Sequence, residues 1–362
     1  MVNTKIGYLN IKSMKKLSEV AWNVTEETYR ADPALSYSTL SRFDREGFAN
    51  IDKLFDKQET PSLLLGSIVD TIITDGEDEF NRRFIVAEYP DIPDSIIQIV
   101  KALFNEFSDT HRILESIPNE EVIGFASRFN YQNNWKPETR AKVIKEKGNR
   151  YYDLLYLTVD KTLVSQDMYN DALRMVDALR TSEATKWYFA DNNPFEPEIE
   201  RYYQLKFKAT LHNVDYRCMA DLIICDHKNK ELILCDLKTT GHPEYEFASS
   251  FLTWNYSYQA RLYSRIIAEN IKKDPYFKDF KLSDYRFIVV NKTTLTPLVW
   301  EFPYTFTTGD IRLETKNGYI KILKDPEYIG KDLSYYLSTR QKVPVGINEV
   351  GTNDIVEWIN KL

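Results

Sequence analysis

The chain predicts an α/β fold, a mixed central sheet flanked by helices with helical additions at both ends, on three observations. Two apolar runs, Met219–Cys225 and Leu232–Leu237, enclose the polar stretch Asp226–Lys230, as the strands and loop of a hairpin do. Further β-rich runs stand at Glu198–Phe207, Tyr285–Val290 and Leu298–Trp300. Around them, Ser165–Ala190 and Tyr245–Ile271 space their apolar residues as helices. A length of 362 residues suits one large domain or two small ones. With no repeat, low-complexity tract or clear linker, the expectation is a single domain over 1–362. It divides into N-terminal helices at 35–80, a mostly helical segment at 81–195, a core at 196–302 and C-terminal helices at 303–362.

Residues 1–34 offer one short helix, Ile11–Asn23. Leu35–Phe43 reads as a helix opened by a serine cap, taken as Ser38; Arg42 and Arg45 suit either solvated charges or phosphate contacts. Ser62–Ile73 is an apolar helix holding Gly66 and Asp70 four residues apart. A glycine inside a helix costs about 1 kcal/mol, so close packing at Gly66 is expected. Phe84–Val86 reads as a short strand, and Asp94–Asp109 and Pro137–Glu146 as helices. Lys142, Lys145, Lys147 and Arg150 suit a solvated face or a nucleic-acid path. Beyond the sheet, helices are expected at Asp310–Leu323, Asp332–Thr339 and Asn353–Leu362.

The hairpin carries the chemistry. Its strands are apolar apart from Asp221 and Asp236, and a buried carboxylate without a partner costs several kcal/mol or takes up a proton. If the loop is His227–Lys230, Asp226 pairs with Glu231 and Asp221 falls opposite Asp236 on one face. Two opposed carboxylates repel, and a bound cation relieves them. Lys238, two residues after Asp236, points to the same face because strand side chains alternate. Downstream, Gln259, Leu262, Tyr263 and Ile266 follow i, i+3, i+4, i+7, which sets a glutamine on an apolar helix face where it needs an internal hydrogen-bond partner.

Asp221 with Asp236-Leu237-Lys238 resembles the signature of the PD-(D/E)xK nuclease superfamily, and Gln259 with Tyr263 is similar to the Q-x-x-x-Y helix of its RecB-like branch. Leu35–Phe43 resembles the LSxSxLxxF opening of the phage-type exonuclease VIII family. The resemblance implies a restriction-endonuclease-like core and Mg²⁺- or Mn²⁺-dependent hydrolysis of DNA. The catalytic residues would be Asp221, Asp236, Lys238, Gln259 and Tyr263. Asp221, Asp236 and the Leu237 carbonyl would hold the metal, joined by Asp70 and Glu200. Asp70 stands where those relatives carry a histidine in G-x-x-x-H, and carboxylates suit Mg²⁺. Glu200, 21 residues before Asp221, is the best match to a family glutamate; Glu198 shares its face. The implied substrate is a duplex DNA end resected for recombination or repair. The implied partners are a single-strand annealing protein and further copies of the chain, as in relatives that form rings. A structure-specific or restriction-type endonuclease and a non-cleaving DNA-binding or assembly protein of the same fold are the alternatives.

Composition sets bounds on this reading. Hydrophobic content of 43% with 28% charged residues is ordinary for a globular protein. There is no apolar run long enough for a membrane helix and no signal-peptide core, so the expected compartment is the cytoplasm of a bacterial or phage-infected cell. The abundance of Tyr, Asn, Lys and Ile fits an AT-rich genome of the phage kind. Cys218, Cys225 and Cys235 lack a C-x-x-C pair and a fourth partner, so no iron–sulfur cluster is expected. The net charge of −7 requires any DNA affinity to come from a local basic groove plus metal. No G-x-S-x-G, Walker A or dinucleotide glycine pattern is present. The four histidines, His111, His212, His227 and His242, all read as structural or loop residues, and His242, just beyond the D-x-K strand, is the one that could approach DNA.

Overall fold

The two apolar runs around Asp226 pair as an antiparallel hairpin, with Asp226 opposite Glu231 and Leu222 opposite Cys235. The Asp226 carboxylate accepts the Asn229 N–H at 2.8 Å and Lys230 takes φ +51°, which closes the turn. These positions come from a computed structural model that describes residues 14–340, except 57, 59, 89–90, 315–317 and 319.

In chain order the first elements are α1 (Glu26–Ala31), α2 (Tyr37–Glu46) and α3 (Pro61–Thr74). There follow α4 (Gly76–Arg83), β1 (Phe84–Val86), α5 (Asp94–Phe107), α6 (Asn119–Arg128), α7 (Pro137–Leu157), β2 (Thr162–Val164) and α8 (Gln166–Thr181). The hairpin region comprises β3 (Ile199–Leu211), β4 (Val214–Asp226), β5 (Glu231–Thr240), α9 (Phe247–Thr253) and α10 (Tyr256–Ile271). The chain closes with β6 (Lys281–Leu282), β7 (Tyr285–Asn291), β8 (Leu298–Phe302), β9 (Ile311–Glu314), β10 (Ile320–Leu323) and α11 (Pro326–Thr339). Contacts group the chain into two compact units, Met1–Asp70 with Arg174–Leu362, and Thr71–Leu173. The unit boundaries fall inside α3 and α8.

The first unit holds a mixed six-stranded sheet of order β3-β4-β5-β7-β8, with β6 on β5, so the fold is mixed α/β as the sequence predicts. β3 and β4 are antiparallel along their whole length, β5 and β7 are parallel, and β8 returns antiparallel to β7. α10 packs across β3, β4 and β7, and α2 packs on α10 and α11. The core between them is Phe207, Tyr216, Ile223, Leu234, Leu262, Ile266 and Phe287. In the second unit, α5 lays Ile96, Ile99, Val100 and Leu103 against Ala141, Ile144 and Tyr152 of α7. Gly148 permits that approach, since a Cβ there would stand 2.4 Å from Val100 Cγ2. Lys145 is committed inside this unit, donating to the carbonyls of Glu115 and Ile117 at 3.0 and 2.6 Å, and is no surface cation.

Several expectations are corrected. Asp310–Leu323 forms the β9–β10 hairpin and not a helix. Apolar Ile311 and Leu313 alternate with Arg312 and Glu314, the period of a strand. Tyr245–Ile271 is two helices, because Asn255 adopts the left-handed conformation (φ +54°) between α9 and α10. The cap of α2 is Ser36, whose hydroxyl accepts the Thr39 N–H; Ser38 lies inside the helix. Between 14 and 23 only the turn Leu17–Glu19 is helical. The helix expected at Asn353–Leu362 lies outside the described residues. Among the described residues no helix is long and apolar enough to cross a membrane.

A buried ionic cluster fastens α11 to α10. Arg261, fully buried, meets Asp325 at 2.8 Å, while Arg265 meets Asp325 at 2.7 Å and Glu327 at 2.6 Å. Burial alone would raise the Asp325 carboxyl, but the Arg265 guanidinium and the Glu327 N–H outweigh it and hold it below the usual range. With its folded pKa below the unfolded one, Asp325 contributes fully above about pH 4 and loses its contribution as pH falls through the depressed value. Asp325→Ala leaves the buried Arg261 guanidinium without a carboxylate, while Arg265 keeps Glu327, and is expected to cost about 3 kcal/mol at pH 7. Urea titrations at pH 7 and pH 3 check this: the gap between variant and wild type should narrow at the lower pH.

Candidate active site

The sheet opens where the acidic residues stand. β4 and β5 pair from Asp226–Glu231 to Leu222–Cys235 and stop there, one rung short of Asp221 and Asp236. From Cys235 onward β5 pairs with β7, placing Asp236 beside Phe287 and Lys238 beside Val289. In place of the missing rung, the Leu237 N–H donates to Asp221 Oδ2 at 3.0 Å. The expected register is therefore right, but the two aspartates sit at a fork and not across a ladder pair.

Asp236 is 1% exposed and takes two partners. Gln259 of α10 donates its Nε2 to Asp236 Oδ1, and Lys238 Nζ lies 2.6 Å from Oδ2. Gln259 is buried, so the glutamine on the apolar face has found its internal partner. The orientation of its amide follows from that contact, since the reverse would set an oxygen against a carboxylate. Burial would push the Lys238 ammonium down, but Asp236 outweighs it, followed by Tyr256, Tyr37 and Asp221, so its pKa is raised and it keeps its charge. Lys238 Nζ stands 4.5 Å from the Tyr256 ring centroid and 6.0 Å from that of Tyr37. Two aromatic faces and one carboxylate thus fix the ammonium.

Asp70 is brought to the same place. Gln204 lies across β3–β4 from Asp221, between the paired rungs Tyr203–Leu222 and Leu205–Ala220, and has φ +53°. Its Nε2 donates to Asp70 Oδ2 at 2.8 Å. Asp221 is pushed well above the usual carboxylate range by burial first, then by Asp236 and Asp70, against the opposing effect of Lys238 and the Leu237 N–H. Gly66, one turn before Asp70, explains the approach of α3: a Cβ there would meet Thr239 Oγ1 at 3.1 Å.

Of two further expected residues, one lies elsewhere and one packs the site. Glu200 pairs with Cys225, four residues along β3 from Gln204 or roughly 13 Å of strand. Its carboxylate is engaged by the Tyr202 hydroxyl and by His227 Nε2 at 3.0 Å, so it is not part of this group. Counting back from Asp221 by sequence distance overshoots, because the cross-strand neighbour is set by the β3–β4 turn. Tyr263 is buried behind Asp236 and Asp221, and burial keeps its phenol protonated. It packs the site from within. Sequence reasoning missed Gln204, Tyr37 and Tyr256; the register through Ile199–Asp226 identifies the first.

Among the described residues no three His, Cys, Asp or Glu side chains form a closed metal cage. The donors on offer are Asp221 and Asp236, and Mg²⁺ commonly binds through one or two carboxylates while keeping several waters. Gln259 Oε1 is buried and accepts no hydrogen bond, and Asp236 Oδ2 makes an ion pair without a directed hydrogen bond. Buried polar atoms are rarely left so, and a cation with its bound water would supply what both lack. Asp70, tied to Gln204, adds charge nearby.

No family model matches this chain, and no curated protein sequence matches it. Among solved structures it is similar to one described as a "Putative exonuclease" from Eubacterium rectale. The two are 11% identical, with 78% of this chain and 77% of that chain covered and a TM-score of 0.38.

Three crowded carboxylates repel in the absence of metal. Asp70→Asn keeps an acceptor for Gln204 while removing one charge, and is expected to raise the melting temperature in the absence of metal. Thermal melting in EDTA at neutral pH checks it. A lower melting temperature than wild type would mean that Asp70 holds the fold by some other contact.

Proposed function

We propose that this protein hydrolyses DNA phosphodiesters with a divalent cation, Mg²⁺ or Mn²⁺, in the manner of the PD-(D/E)xK nucleases. The observation that carries the reading is Asp236 shared between Gln259 and Lys238, with Asp221 pinned to the Leu237 N–H at the fork. Asp221 and Asp236 would hold the cation, whose chemistry is to polarise the phosphate and ease deprotonation of water. Hydrolysis joins a water oxygen to phosphorus and breaks one phosphorus–ester bond, so negative charge grows on the phosphate oxygens. Lys238, kept as an ammonium, is placed to neutralise that charge. The open acceptor Gln259 Oε1 is placed to orient the attacking water through one of its protons. Tyr37 and Tyr256 restrict the lysine and exclude solvent from its flank.

Action at duplex ends is the finer part of the proposal and rests on the likeness of Leu35–Phe43 to the exonuclease VIII opening. An annealing protein and self-assembly belong to that same part.

Lys238→Ala and Asp236→Ala are each expected to lower Mg²⁺-dependent cleavage of linear duplex by at least about 10²-fold, the scale of a lost electrostatic stabiliser. Circular dichroism should show both folded. Undiminished cleavage by either variant contradicts the assignment. Covalently closed duplex of the same sequence is expected to survive, and its nicking at the rate of linear digestion would favour the endonuclease reading.

A further inference from the structure

The elbow between α9 and α10 presents one large aromatic side chain that the proposed chemistry does not use. Trp254 is 47% exposed, although its backbone is fixed twice: its carbonyl accepts the Tyr37 hydroxyl at 2.8 Å and the Ser41 hydroxyl at 2.7 Å. The next residue, Asn255, holds the left-handed turn and donates to Asp44 at 3.2 Å, so the elbow is tied to α2 on both sides of the indole. One position further, Tyr256 reaches Lys238, with its ring centroid 4.5 Å from Nζ. The indole is therefore a part-exposed plane on a fixed backbone, two residues before Tyr256 of the proposed cleavage site.

Its charge environment is also particular. The Arg45 guanidinium lies over the indole, 4.8 Å from the ring centroid. Arg45 hydrogen-bonds the Ser41 hydroxyl and pairs with no carboxylate among the described residues. Its charge is felt at Tyr256, whose phenol burial raises, with Lys238 and then Arg45 opposing. In a chain of net charge −7, a cation without an acidic partner beside the candidate site is a feature to explain. A guanidinium over an exposed indole suits an unpaired nucleobase with its phosphate: the base stacks on the aromatic plane and the cation meets the backbone. Paired bases in a duplex have their faces covered by neighbouring bases and cannot use such a platform.

We infer that Trp254, with Arg45, is a stacking platform for an unpaired nucleobase, so that the strand entering the site is single-stranded at that point. This rests on the nuclease reading and adds the state of the substrate to it. Trp254 acts by positioning the strand; it touches none of the proposed reacting atoms.

The test measures binding by fluorescence anisotropy in Ca²⁺, with labelled oligonucleotides whose phosphorothioate linkages resist hydrolysis. The ligands are a dT 12-mer, an abasic 12-mer of the same backbone and a blunt duplex. Trp254→Ala is expected to weaken dT binding about ten-fold, within the range for a single stacked base, and to leave the abasic strand unchanged. Trp254→Phe, which restores an aromatic plane, should recover most of the loss, and unchanged melting temperatures should show both variants folded. If Trp254→Ala binds dT as wild type does, or loses the abasic strand equally, the platform is refuted while the nuclease reading stands. If wild type binds none of the three ligands, the nuclease reading fails and the platform falls with it.

Discussion

Two like charges resist sharing one rung of an antiparallel ladder, and here the ladder between β4 and β5 ends one rung before Asp221 and Asp236 would meet. The parting of the strands lets the Leu237 N–H turn to Asp221 and frees both edges of Asp236 for Gln259 and Lys238. It also leaves Asp221 within the repulsion of Asp236 and Asp70, the condition that a divalent cation relieves. Without the fork the same residues would be a charged defect in an apolar hairpin.

The surrounding fold keeps that arrangement from relaxing. Gln259 reaches Asp236 only while α10 lies across the sheet, and α10 is held by Arg261 and Arg265 through Asp325 at the start of α11. On the other flank, α2 ties the elbow at Trp254 and sets Tyr37 beside Lys238. Gly66 lets α3 approach Thr239, close to the lysine. Each support is a close contact between elements remote in sequence, so the site is rigid because the packing around it is.

This explains which parts of the molecule the sequence reveals. Two near-continuous apolar runs, Met219–Cys225 and Leu232–Leu237, with a polar turn between them, are enough to give the register and so to bring Asp221, Asp236 and Lys238 together. The spacing of Gln259 and Tyr263 likewise marks the helix face that turns inward. Glu200 fails because a fixed distance along the chain does not follow the β3–β4 register, which puts Gln204 at the rung in question. The β9–β10 hairpin is missed because short alternating runs carry little signal against a helical background. Tyr37 and Trp254 acquire meaning only from tertiary contact, and no local pattern announces them.

The central claim is that the fork is a divalent-cation site. Isothermal titration of Mn²⁺ into wild type and Asp221→Asn, without nucleic acid, tests it most directly. The account predicts saturable binding of Mn²⁺ to wild type that is lost or strongly weakened in the variant. Equal binding by the two proteins, or none by wild type, would contradict it.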